Sequence, residues 1–143
     1  MDISSEFNFH SENISFEIKK KPAIISWLSY AIKNENKIPG EISLIFCSDD
    51  YLHKLNIKHL NHDTLTDIIT FDYCENEIVN GDLFISIDRV KANAELFLTS
   101  LDNELHRVMI HGVMHLCGYK DKTTEDQKVM SAKEDFYLNL RDF

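Results

Sequence analysis

The chain has 143 residues, 43% hydrophobic and 27% charged, which is the composition of one ordinary globular domain with enough length to bury a substantial core. Its formal net charge of −9 excludes a protein that clings non-specifically to nucleic acid, so any RNA contact has to be local or brief. No stretch approaches the roughly 20 apolar residues of a membrane span, so no membrane partner is expected.

Residues 1–18 hold no apolar run, and Asp2, Glu6 and Glu12 are acids of a kind that mitochondrial presequences avoid. The expected compartment is therefore the cytoplasm. Residues 13–19 alternate around Ile14, Phe16 and Ile18 and read as a first strand. Pro22 suits a first helical turn, followed by the stripe Ile25, Leu28, Ile32. Pro39-Gly40 reads as a turn into a second strand, residues 41–47, after which Ser48 can cap a short helix running to about His59. Two more strands are expected over 66–73 and 82–87, with Asn80-Gly81 as the turn between them. Helices follow over about 89–98, 102–117 and 124–140, the last opening with a capping box, Thr124-x-x-Gln127. Strands come early and helices late, and no linker or repeat divides the chain. The reading is a single α+β domain over 1–143, with a small mixed sheet of about four strands packed by about five helices.

The informative segment is His111-Gly-Val-Met-His115-Leu-Cys-Gly118-Tyr119-Lys120-Asp121. Histidines four apart on a helix stack on one face, within reach of one ion. Gly118 falls where helices often end in a left-handed residue, so the chain can turn back and offer Asp121 as a third, oxygen ligand. Two histidines and a carboxylate leave a fourth position for water, as an open catalytic site requires, and zinc is the ion expected. The helix around them is largely apolar (Val108, Met109, Ile110, Val113, Met114, Leu116), so two stacked imidazoles there need a polar partner. Cys47, Cys74 and Cys117 are too scattered for a disulfide framework or a cysteine zinc knot, and are expected to be buried, reduced thiols.

The ligand spacing is shared with metzincin-type proteases, but those carry a glutamate base directly after the first histidine. Gly112 stands there instead and cannot take a proton. Glu104 and Arg107 lie seven and four residues before His111, on roughly the same face. Arg107 could meet phosphate and Glu104 could orient Arg107 or a histidine; the alternative is an exposed i,i+3 pair.

His111-Gly-x-x-His115-Leu-x-Gly118-Tyr119 resembles the motif of the YbeY family, bacterial metal-dependent endoribonucleases and rRNA maturation factors. Leu55-Asn56, Thr66-Asp67 with Phe71, Gly81-Asp82 with Ile85-Ser86, and Glu104-Leu105 look like the family's other motifs, in order. The resemblance implies a zinc-dependent hydrolase cleaving single-stranded RNA, acting on the 3′ end of small-subunit rRNA and on defective ribosomes, with the small ribosomal subunit as partner. The expected site residues are then His111 and His115, with Arg107 and Glu104 added from helical geometry alone. Two departures stand out. Asp121 occupies the place of the family's third histidine ligand, which leaves iron or manganese chemically possible beside zinc. Leu60 occupies the place of a family arginine associated with activity and cannot pair with phosphate; Lys58, His59 and His62 are the nearby candidates to compensate. A non-catalytic, metal-braced ribosome-assembly factor and a metalloprotease are the alternative functions.

Overall fold

Period-two hydrophobicity in the central strands decides the layering of the molecule. The computed structural model describes residues 5–62 and 64–143. In chain order the elements are β1 (Glu6–Glu12), α1 (Lys21–Asn34), β2 (Ile38–Cys47), α2 (Asp49–Leu60), β3 (Ile68–Asp72), β4 (Ile78–Ser86), α3 (Ile87–Leu96), α4 (Leu101–Leu116) and α5 (Thr124–Leu138). The sheet order is β1-β2-β4-β3; β1 and β2, and β2 and β4, pair in parallel, while β3 runs antiparallel to β4. Along β2 and β4, Ile42, Leu44, Phe46, Leu83 and Ile85 face the main core. Cys47 and Phe84 point the other way, into a smaller cluster with Leu52 of α2 and Ile69 of β3. A sheet buried on both faces needs this double apolar lining. The fold is the α+β arrangement expected, with four strands in a mixed sheet and five helices among the described residues.

Helix α4 is the spine. Ser100 caps it by accepting from Asn103 N at 3.0 Å, and ten of its 16 residues are buried. A helix apolar on most sides belongs inside, and α4 runs between the sheet, α1, α3 and α5. Gly112 allows the close approach: a Cβ there would stand 2.7 Å from Ile68 Cδ1 and 3.0 Å from Leu83 Cδ2. Helix α5 is locked down by Trp27, whose Nε1 donates to Tyr137 O at 2.7 Å. No helix among the described residues is long and apolar enough to cross a membrane.

Several local expectations shift. The first strand is Glu6–Glu12 rather than 13–19. Asn13 adopts a left-handed conformation (φ 60°) and ends the pairing, so Phe16 and Ile18 alternate because they cover the core, not because they pair. Pro39-Gly40 lies inside β2, at a register irregularity, and the chain turns earlier, at Asn36 (φ 62°). Asn80-Gly81 likewise lies within β4. Asn80 Oδ1 accepts from Glu41 N at 2.8 Å across the irregularity, and the β3–β4 turn is made by Asn76 (φ 53°). The capping box belongs to Thr123 and Asp126, one residue earlier than expected. Cys47 is buried, whereas Cys74 and Cys117 are only half-buried; all three are free, with burial pushing their thiols up to about 12, 11 and 12.

Candidate metal centre

Four residues apart on α4, His111 and His115 present their rings on one face, with centroids 4.6 Å apart. Gly118 takes φ 107° after the C-cap Cys117, a conformation glycine adopts without strain, and the chain doubles back. The return loop is pinned where Gln127 Nε2 donates to Asp121 O at 3.1 Å. Asp121 Oδ2 thereby lies 3.2 Å from Nε2 of His111 and 3.2 Å from Nε2 of His115, and the two Nε2 atoms are 3.0 Å apart. Among the described residues this is the group whose donor atoms could share one metal ion.

Whether a metal fits follows from the protons. His111 Nδ1 faces Glu134 Oε2 at 2.7 Å, and His115 Nδ1 faces the Tyr119 carbonyl oxygen at 2.9 Å. Each partner is an acceptor, so each Nδ1 carries the hydrogen and each neutral ring turns an Nε2 lone pair inward. Two lone pairs and a carboxylate oxygen then face one another at hydrogen-bond spacing with no hydrogen between the rings. A cation resolves that repulsion, and ligands about 2.0 Å from a tetrahedral ion stand roughly 3.3 Å apart, close to the spacings seen. The donor set fits zinc or a similar divalent transition metal.

The group opens into a cleft of about 540 Å³ lined also by Leu60, Thr66, Asp67, Ile68, Thr70, Asp72 and Lys122. Burial raises the Asp67 carboxyl, against the opposing pull of His111. For His111, burial lowers the pKa, but the Glu134 hydrogen bond and the charges of Glu134, Asp121 and Asp67 outweigh it and the net shift is upward.

Arg107 finds partners that the sequence reading did not name. Arg107 Nη1 donates to Glu134 Oε1 at 2.9 Å and Nη2 to Asp135 Oδ1 at 2.7 Å, so both ends of its guanidinium are engaged by α5. The carboxylate on His111 is Glu134, not Glu104. Glu104 is buried, with its carboxyl raised by burial and by Asp67, and forms no pair with Arg107 of the exposed kind. Leu60 lines the cleft, while His59, one of the candidates to compensate for it, packs edge-on against Phe71 with centroids 5.7 Å apart.

Sequence reasoning missed Glu134, which is 23 residues from His111. Its signal was present: Met130, Glu134, Tyr137 and Leu138 are the buried face of α5, and a carboxylate on an apolar stripe demands a partner. Missed too were Asp67 as a cleft wall and Glu35, which accepts from the Tyr119 hydroxyl.

An α+β domain that carries a helix-borne pair of histidines and a returning carboxylate in an open cleft is the class defined by this geometry. The chain belongs to the endoribonuclease YbeY family, whose model matches residues 6–141. It is 51% identical over 134 residues to the Endoribonuclease YbeY of Flavobacterium psychrophilum, covering 94% of each chain. It is 48% identical over 136 residues to that of Cytophaga hutchinsonii, covering 94% of this chain and 95% of the relative. Among solved structures, the solution structure of TM1509 from Thermotoga maritima matches with a TM-score of 0.65 at 26% identity, over 93% of this chain and 87% of that one.

Proposed function

We propose that the protein is a metal-dependent, single-strand-specific endoribonuclease of the cytoplasm that matures the 3′ end of small-subunit rRNA and acts on defective ribosomes. The observation that carries the reading is the convergence of His111 Nε2, His115 Nε2 and Asp121 Oδ2 within 3.2 Å of one another at the floor of an open cleft. Family membership supplies the reaction class, because the relatives are named endoribonucleases.

His111, His115 and Asp121 would hold one zinc ion, or another divalent transition metal. When bound, such an ion supplies Lewis acidity to a phosphodiester and lowers the pKa of water. The chain's own contribution is positional. Glu134 and the Tyr119 carbonyl hold the Nδ1 protons and fix both rings. Leu60 and Ile68 narrow the cleft with apolar walls, and Thr66 and Thr70 offer hydroxyls to a polar substrate. A peptidase of the glutamate-base type is disfavoured, since position 112 is a glycine with no group to take a proton, and a Cβ there would crowd Ile68 Cδ1 at 2.7 Å.

The test is incubation with precursor small-subunit RNA, in the zinc-loaded state, and mapping of the new ends. Cleavage in single-stranded sequence near the mature 3′ end supports the proposal; cuts confined to duplex, or none there, contradict the maturation role. The product chemistry also assigns the attacking oxygen, since a 2′,3′-cyclic phosphate requires attack by the 2′-hydroxyl.

A further inference from the structure

The charges of the cleft place a further residue in the reaction. Three carboxylates line it, Asp67, Asp72 and Asp121, and one cationic side chain, Lys122. With a bound dication the formal balance is neutral; without Lys122 the cleft would be net negative and would repel the polyanion it is proposed to cut. Lys122 directly follows the ligand Asp121, so its Cα is fixed within one residue of the metal position. It is exposed and, among the described residues, makes no ion pair or hydrogen bond. The other nearby cations are unsuitable. Arg107 is held at both ends by Glu134 and Asp135, and Lys120, two residues earlier, lies outside the cleft walls. Leu60, contributed by the end of α2, is apolar where the cleft could have used a charge.

We propose that Lys122 is the phosphate-binding cation of this site, contacting the RNA backbone next to the scissile bond. A lysine suits this as a flexible point charge that can follow a single strand, where a bidentate arginine would fix one geometry. The inference rests on the endoribonuclease reading, and its test separates the two.

The probe is a short fluorescein-labelled single-stranded 2′-O-methyl RNA, bound by zinc-loaded wild type, Lys122→Gln, Lys122→Arg and Lys120→Gln, with cleavage of the unmodified RNA measured in parallel. Lys120→Gln removes the same charge from outside the cleft. The expected result is about a tenfold weaker Kd and lower kcat/KM for Lys122→Gln alone, from loss of one charge-assisted contact. The slope of log Kd against log salt should also fall by about 0.7, the value for one phosphate on a single strand. Lys122→Arg should stay near wild type, and zinc affinity should be the same in all four. Equal effects of Lys122→Gln and Lys120→Gln, an unchanged salt slope, or a loss of zinc affinity in Lys122→Gln would each overturn the assignment while wild-type cleavage keeps the nuclease reading. If wild type neither binds nor cuts, the nuclease reading itself falls and the assignment with it.

Discussion

Glu134 sets its Oε2 2.7 Å from Nδ1 of His111 while its Oε1 accepts from Arg107 at 2.9 Å. One side chain of α5, 10% exposed, thus fixes the tautomer of a candidate ligand 23 residues away and is itself charge-balanced by α4. Carboxylates in this position orient the ring and raise the basicity of the inward nitrogen. Glu134→Gln keeps the volume and loses the charge. It should weaken zinc binding by about 10- to 100-fold, measured by competition with a chromophoric chelator. An affinity within twofold of wild type would show that the contact does not tune the site.

The second ligand is braced more indirectly. Tyr119, whose carbonyl receives His115 Nδ1, donates its hydroxyl to Glu35 Oε1 at 2.5 Å, and Glu35 also accepts from Tyr137 Oη and from Lys133 at 3.1 Å. Burial alone would raise the Glu35 carboxyl; the three donors outweigh it and hold it below its ordinary value. Glu35→Ala removes the acceptor shared by two hydroxyls and an ammonium group, and should cost about 3 kcal/mol in urea unfolding. Tyr119→Phe keeps the carbonyl and should cost about 1 kcal/mol. A Glu35→Ala loss no larger than that of Tyr119→Phe would mean the network is dispensable.

Gly112 is held by packing as much as by chemistry. Gly112→Ala forces a Cβ against Ile68 and Leu83 and should destabilise the fold by roughly 1–3 kcal/mol despite alanine's better helix propensity. A variant as stable as wild type would show that β3 can retreat at no cost.

A pH effect belongs to His106, far from the cleft. Burial first, and Arg141 second, depress its pKa to about 4, with Arg141 Nη1 2.7 Å from His106 Nδ1. The folded state keeps this ring neutral while the unfolded chain protonates it near its ordinary value of about 6.5. The unfolded state therefore binds more protons between those values, and stability contributed here falls as pH drops from about 6.5 towards 4. Thermal melts of wild type and His106→Gln across that window should show a shallower decline in the variant. Parallel curves would contradict the assignment.

What the sequence made legible was local. The His111–His115 spacing, the Gly118 reversal and the return of Asp121 all follow from helix period and one left-handed residue, and the structure has each of them. The strand–helix order was readable for the same reason. Turn chemistry misled where tertiary pairing overrode it: Gly40 and Gly81 serve close packing inside strands, where a Cβ would meet Val79 O at 2.9 Å and Phe71 O at 2.7 Å. The supporting partners were hidden by distance, because Glu35 and Glu134 act across helices and no short-range pattern pairs them with Tyr119 or His111. The partners of Arg107 were hidden on the same account, lying 27 and 28 residues on, in α5.

The central claim is that the His111–His115–Asp121 cluster is the seat of RNA cleavage. The most direct measurement is cleavage of single-stranded RNA by wild type and His115→Ala, purified side by side and each assayed with zinc and with chelator. The account predicts cleavage by wild type that stops on chelation, returns with zinc and is absent in the variant. Equal cleavage by both proteins would trace the activity to a contaminant. No cleavage by either, with zinc bound at one ion per wild-type chain, would contradict the claim and leave a metal-braced assembly factor in its place.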